Sequence, residues 1–198
     1  MKVIGITGGV GSGKSEVLKL IDSMTKCVIV KADDLARSLE VRGEVCFAPL
    51  VELLGEGVLQ EDGEIDPKKM AQMIFSEESG NLRDKVNGIV HPAVKKRILS
   101  MIKEADRRKQ VDYFFIEAAL LIEDHYDLIV DELWYIYADE NVRRQRLRDS
   151  RGYSDEKIEG IMASQSSDEV FRKYCKAVID NSGTLEMTKG QLERLLQN

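Results

Sequence analysis

Residues Gly8 to Ser15 read GGVGSGKS and fit the spacing G-x-x-x-x-G-K-[ST]. They sit between an apolar run, Val3, Ile4 and Ile6, and a helix-like segment that opens near Gly13, so a strand, a loop and a helix are expected in that order. Gly8, Gly9, Gly11 and Gly13 allow backbone conformations a side chain forbids, and successive N–H groups can then converge on phosphate oxygens. The helix adds its unsatisfied N–H groups and the positive end of its dipole. Ser12 lies inside the cradle, Lys14 supplies a point charge, and the Ser15 hydroxyl is placed to ligate Mg²⁺. A merely flexible glycine turn is the weaker reading, given regular structure on both sides.

Outward from this loop, Val17, Leu18, Ile21 and Met24 recur at helical spacing and give the first helix an apolar face. Cys27–Val30 reads as a second strand, expected beside the first, and it ends in Lys31, Ala32, Asp33 and Asp34. Two carboxylates therefore stand at the edge where open α/β sheets bind ligands, and one of them is expected to cap the next helix. Residues 38–109 hold no convincing strand but three or four helical segments, with turn signals at Gly55, Gly57 and Gly63, which predicts an inserted helical subdomain. Asp66-Pro67 marks a helix start, and His91-Pro92 predicts a break between helices. From Pro92 the positions Val94, Ile98, Met101, Ile102 and Ala105 share one helix face. Tyr113–Ile116, closing on Glu117, and Leu133–Tyr137 read as core strands. An arginine-dense helix from Glu140 to Arg151 follows, then a helix starting at Ser154, a strand at Ala177–Ile179, a turn at Asn181–Gly183 and a helix from Leu185 to Leu196. Strands alternating with helices predict an α/β fold, a parallel sheet flanked by helices, with a helical insert and a helical lid over 140–167.

The 198 residues suffice for a full core, and 43% hydrophobic with 32% charged residues is the balance of an ordinary globular chain. A formal charge of −6 argues against duplex nucleic acid as a partner, because such binding is dominated by phosphate neutralisation. Cys27, Cys46 and Cys175 lack paired spacing, so packing thiols rather than disulfides or a zinc site are expected. The chain enters a strand by Val3 without a charged leader, and no run approaches the length of a membrane span. The cytoplasm, no membrane partner, and a monomer or weak homo-oligomer are the expectations.

Phosphoryl transfer requires aligned reactants, compensated charge and a carboxylate near the attacking hydroxyl. Asp33 is positioned to accept a proton from a bound alcohol or to orient Mg²⁺ through water, and Glu117, at the end of an apolar strand, either assists magnesium or is an ordinary strand-end acid. Arg143, Arg144, Arg146, Arg148 and Arg151 either form a solvated face partly paired with Glu140 and Asp149, or a mobile lid that closes on ATP phosphates; the second reading is preferred. Arg144, Arg148 and Arg151 share one face and Arg143 with Arg146 another, and spacing does not decide which turns inward. His91, taken alone, reads as a structural hydrogen-bonding residue.

The loop, KADDLAR at 31–37, GEIDPKKMAQMIF at 63–75, His91-Pro92, EAALLIE at 117–123, the arginine helix and VIDNSG at 178–183 together resemble the dephospho-coenzyme A kinase family from end to end. The resemblance implies ATP and Mg²⁺, a ribose 3′-hydroxyl of dephospho-CoA as acceptor, and residues 38–109 as the CoA-binding part. It further implies catalytic roles for Asp33, Lys14 and Arg146. Glu16, Arg143, Arg151 and Asn181 join the loop in binding nucleotide; Arg37, His91 and Leu120 join Asp33 at the acceptor; Ser15 and Glu117 hold the metal. The pattern departs at Lys31, where the family carries aspartate, at Glu16 for threonine, at Glu117 for aspartate, at Ala119 for proline, and at Pro67, where the family's arginine is missing. Another nucleoside or nucleotide kinase on the same scaffold is the alternative. A guanine-reading switch would need an N-K-x-D segment, which the sequence lacks.

Overall fold

The computed structural model describes residues 1–76 and 80–197. In chain order the elements are β1 (Lys2–Thr7), α1 (Lys14–Met24), β2 (Cys27–Lys31), α2 (Ala32–Leu39), α3 (Phe47–Leu54), α4 (Pro67–Ile74), α5 (Leu82–Arg108), β3 (Tyr113–Glu117), β4 (Glu132–Tyr137), α6 (Glu140–Arg151), α7 (Asp155–Ala163), α8 (Asp168–Tyr174), β5 (Ala177–Asp180) and α9 (Leu185–Leu196). Two compact units result, one from Met1–Ile29 with Ala105–Asn198 and one from Val30–Glu104.

The first unit is built on the sheet, whose strand order is β2-β3-β1-β4-β5 with parallel pairing of β1 to β3, β1 to β4 and β4 to β5. Side chains alternate across it, as strand geometry requires. Ile4, Ile6, Phe115, Trp134, Ile136 and Ile179 meet Val17, Leu18 and Ile21 of α1 and Leu192 of α9 in one buried cluster. On the opposite face Tyr135 stacks on Phe171 of α8, ring centroids 4.6 Å apart. Burying each of these large side chains is worth roughly 1.5–3 kcal/mol, so the cluster dominates the energetics of this unit. The predicted apolar face of α1 is therefore the one that packs.

The sequence placed β2 beside β1, and the structure places β3 between them. The reason lies in composition. Phe114, Phe115 and Ile116 are fully buried, as a strand with neighbours on both sides must be, whereas β2 is half-buried apart from Val30 and suits an edge. The acid that ends next to β1 is accordingly Glu117, in register with Ile6.

Beyond the end of β2 the described residues of the second unit are mainly helical, as the sequence patterns predict, and Leu59 and Ile65 form an isolated antiparallel bridge. Cys46, Leu50, Val58 and Ile98 are completely buried in it. Asp66 caps α4, accepting from the N–H groups of Lys68 (2.8 Å) and Lys69 (3.3 Å), with Pro67 at the first helical position as expected. Two expectations fail here. Neither Asp33 nor Asp34 caps α2: the helix starts at Ala32 with Lys31 as its N-cap, and both carboxylates lie within the first turn, where they favour the dipole without capping. His91-Pro92 does not break the chain; α5 runs through it. Proline removes only the N–H that would reach back to residue 88, which is glycine, and buried Val86, Val90, Val94 and Ile98 hold the two halves to one packed stripe.

At the opposite end of the sheet from the loop, Glu132 is only 8% exposed and accepts from Lys176 Nζ (2.5 Å) and Trp134 Nε1 (3.0 Å), with Lys2 Nζ at 2.9 Å. Burial pushes its pKa up, but these three donors outweigh burial and hold it at about 2 against an ordinary 4.5. A depressed folded value means stability that is fully present above pH 4.5 and is lost as pH falls toward 2. Glu132→Gln is expected to cost about 1–2 kcal/mol at pH 7 and to flatten the acid limb of the stability profile. Denaturant unfolding of both proteins from pH 7 to 2.5 checks this; parallel profiles would contradict it.

Candidate functional site

The loop Gly8–Ser15 leaves the C-terminal end of β1 and feeds α1, whose N-cap Gly13 is left-handed at φ 85°. A side chain at Gly13 would also collide with the Asn181 amide. At Gly8 (φ 151°) a Cβ would lie 2.5 Å from the Ile136 carbonyl oxygen of β4, backbone that has no room to move. Glycine is thus required at both by close approach as well as by dihedral angle.

What holds the loop is a set of donors on its carbonyls. Lys14 Nζ donates to Gly8 O (2.7 Å) and lies 3.4 Å from Gly9 O. Arg143 Nε donates to Val10 O (2.9 Å). Arg146 Nη1 reaches Ser12 O (3.3 Å) and, at 3.5 Å, Gly11 O, while its Nη2 donates to Asn181 O (2.8 Å). Asn181 Nδ2 donates to Ser12 O (2.8 Å), and its Oδ1 accepts from the Thr188 hydroxyl (2.9 Å). In a trans peptide the N–H points opposite to the carbonyl it is joined to. Fixing the carbonyls of Val10, Gly11 and Ser12 therefore turns the N–H of each following residue away from its donor; the Ser12 N–H is taken up by Gly9 O (3.2 Å), which leaves those of Gly11 and Gly13, with the start of α1, as the groups an anion could meet.

The arginine helix divides into two faces. Arg144 pairs with Glu140 (2.7 Å) and Glu159 (2.9 Å), and Arg148 pairs with Asp155 (2.6 Å). These are exposed pairs of small energetic weight, but they join α6 to α7. Arg143 and Arg146 form the inward face, on the loop. Asp149, expected to pair with an arginine, instead accepts from Gln145 Nε2 (2.8 Å). A count of nearby acids missed Asp155 and Glu159 because they arrive from the next helix. Burial lowers the pKa of Arg143, the cost of seating a cation against the loop, and Tyr135 and Glu140 work against that shift.

The structure thus gathers Gly8, Gly11, Ser12, Gly13, Lys14, Arg143, Arg146 and Asn181 at one place, all in the first unit. Ser15 follows Lys14 in the first turn of α1 and is exposed. Glu16 is exposed on the same turn and pairs with Lys19 at 2.7 Å. Arg151 stands at the end of α6 with its guanidinium over the Tyr153 ring, 5.8 Å from the centroid. Leu120 is 41% exposed in the segment after Glu117. Asp33, Arg37 and His91 belong to the second unit: Asp33 sits in the first turn of α2, Arg37 lies 3.7 Å from Asp34, and His91 is half-buried within α5. Sequence reasoning missed Gln165 and Thr188, a polar residue in a serine-rich stretch and a helix threonine, whose contacts become visible only in three dimensions. Cys46 and Cys175 are buried and all three thiols are free, as packing residues should be; burial pushes Cys175 up to about 12.

Two buried hydroxyl oxygens border this loop, Thr7 Oγ1 and Ser12 Oγ, and neither has a hydrogen-bond partner within the protein. Polar atoms of that kind suit a site that takes a polar ligand. Among the described residues no three His, Cys, Asp or Glu side chains converge as a metal cage, so a divalent ion here would rest on one or two protein oxygens and on the nucleotide's phosphates, the usual manner for Mg²⁺. Ser15 and Glu117 are hard oxygen donors of the right type. No described helix is long and apolar enough to cross a membrane.

A family model described as dephospho-CoA kinase matches residues 2–187. A curated dephospho-CoA kinase from Enterococcus faecalis is 34% identical over 196 residues, covering 99% of this chain and 96% of the relative. Among solved structures, a Thermus thermophilus protein superposes with a TM-score of 0.80 at 28% identity, covering 99% of this chain and 96% of the other. A Campylobacter jejuni dephospho-CoA kinase shares the fold with a TM-score of 0.73 at 20% identity, covering 100% and 96%. A match that begins in β1, takes in the loop and its arginine helix, and runs into α9 leaves no part of the architecture unexplained, and the chain belongs to the dephospho-CoA kinase family of phosphotransferases.

Proposed function

We propose that this protein transfers the γ-phosphoryl group of ATP to the ribose 3′-hydroxyl of dephospho-CoA, giving coenzyme A. The observation that carries the reading is the family match from end to end over a chain whose phosphate loop is intact and clamped. The N–H groups of Gly11 and Gly13 and the first turn of α1 receive the phosphates, and Lys14 Nζ moves from Gly8 O to the β and γ oxygens as charge builds there. Arg143, Arg146 and Asn181 act on the nucleotide through the loop they hold. Glu16, whose carboxylate is paired to Lys19, joins the nucleotide site through its backbone in the first turn of α1, and Arg151, at the end of α6, is the arginine of that helix that reaches over ATP. Residues 140–167 act as the lid and 38–109 as the CoA-binding part, with Arg37, His91 and Leu120 at the acceptor.

Magnesium, when bound by Ser15 and Glu117, supplies charge neutralisation across the β and γ phosphates. Asp33 holds the acceptor hydroxyl by its proton and takes that proton as the oxygen attacks. The carboxylate suits this task because it stands in the first turn of α2 without a capping bond to occupy it. The compartment is the cytoplasm, with small-molecule substrates and no nucleic-acid or membrane partner, and the protein works as a monomer or weak homo-oligomer.

A coupled assay offering ATP and Mg²⁺ with dephospho-CoA, AMP, CMP or shikimate tests the reading. Turnover is expected with dephospho-CoA alone and is expected to fall at least about 100-fold in Lys14→Ala, the scale for removing one charge-stabilising group. Preference for AMP, CMP or shikimate would overturn the acceptor assignment. For the base, Asp33→Asn is expected to bind both substrates nearly as the parent does, yet to lose about 100-fold or more in single-turnover rate, while Asp34→Asn, whose partner is Arg37, changes little. An Asp34→Asn enzyme slower than its Asp33→Asn counterpart would show the wrong carboxylate to have been chosen.

A further inference from the structure

Val10 has both its N–H and its C=O held by side chains, and the residue that completes the arrangement comes from far along the chain. Its N–H donates to Gln165 Oε1 (3.2 Å), its carbonyl accepts from Arg143 Nε (2.9 Å), and Arg143 Nη2 donates to the same Gln165 Oε1 (2.6 Å). The three bonds close a ring through the Val10 backbone, the guanidinium and the amide oxygen. Both donors converge on one atom, so the amide orientation is fixed: turned over, Gln165 would present N–H groups to two donors.

Gln165 is itself held. Its N–H donates to Met162 O (3.3 Å), the neighbouring Ser166 hydroxyl donates to Glu123 Oε1 (2.6 Å), and Ser167 caps α8 by accepting from the Val170 N–H (3.4 Å). The segment Ser164 to Ser167 is thereby anchored on both sides of the glutamine.

We infer that Gln165 is a positioning residue for nucleotide binding: as an acceptor it sets the Val10 peptide and the Arg143 guanidinium, and through them the direction of the Gly11 N–H. Arg143 cannot do this alone, because a guanidinium only donates and leaves the Val10 N–H unsatisfied. The bond to Arg143 is charge-assisted, so removing the acceptor costs more than one ordinary hydrogen bond. The inference rests on the loop binding nucleotide, as the proposed function has it, but not on the identity of the acceptor.

Calorimetric titration with Mg²⁺-ADP tests it on the full-length protein, with thermal unfolding as the check of fold. Gln165→Met keeps the side-chain length and removes the acceptor, and about tenfold weaker ADP binding is expected. Gln165→Glu keeps an acceptor for both donors and is expected to stay within about threefold of the parent. Should Gln165→Met not fold, Gln165→Asn, too short to reach Val10, replaces it under the same criteria. ADP affinity in the Met or Asn variant equal to the parent's, or a Glu variant as weak as the Met variant, would overturn the role of the acceptor oxygen. A parent protein that binds ADP but phosphorylates no dephospho-CoA would sink the acceptor assignment instead, and leaves the Gln165 comparison readable.

Discussion

Three consecutive carbonyls, those of Val10, Gly11 and Ser12, are held by Arg143, Arg146 and Asn181, and the shape of the loop between β1 and α1 depends on that constraint. A glycine-rich loop is conformationally permissive, which allows the anion-binding shape without selecting it. Selection comes from outside the loop. Each donor that fixes a carbonyl fixes the N–H on the other side of the same peptide plane, so cations on one side of the loop set the direction of the N–H groups on the other. Arginine suits the task better than lysine, since its fork reaches two carbonyls from one rigid plane, as Arg146 does with Ser12 O and Asn181 O.

The donors come from α6 and from the end of β5, and the sheet puts both in reach. β4 is the direct neighbour of β1, and β5 the neighbour of β4, so the segments leaving β4 and β5 emerge on the same edge as the loop. The buried pair Asn181 and Thr188 secures the β5 side, and ion pairs from Arg144 and Arg148 to α7 secure the far face of α6. Of the helix's five arginines, two rest on backbone carbonyls on one face, two on carboxylates on the other, and Arg151 over the Tyr153 ring, so no anion is needed to quench them.

Legibility in the sequence followed range. The GGVGSGKS spacing, the apolar face of α1, the Asp66-Pro67 start of α4 and the apolar run of β3 that closes on Glu117 all rest on neighbours within a few residues, and each appears as expected. Strand adjacency is a long-range property. The run Cys27–Val30 looked like a partner for β1 until the more completely buried Tyr113–Ile116 claimed that place. The break expected at His91-Pro92 weighed one missing hydrogen bond above a continuous buried stripe, and the stripe won. The roles of Gln165 and Thr188 had no local signal, because a glutamine between serines looks the same whether it faces water or a backbone N–H 155 residues away.

The central claim is that the loop is preformed by these donors and does not need nucleotide to find its shape. Crystal structures of the protein alone and with Mg²⁺-ADP measure this directly. The account predicts that the backbone of residues 8–15 superposes to within about 1 Å between the two, with Arg143, Arg146 and Asn181 on the same carbonyls in both and Lys14 alone changing partner. A loop that shifts by more than about 2 Å, or carbonyls of Val10 and Ser12 released from their donors in the protein without nucleotide, would contradict it.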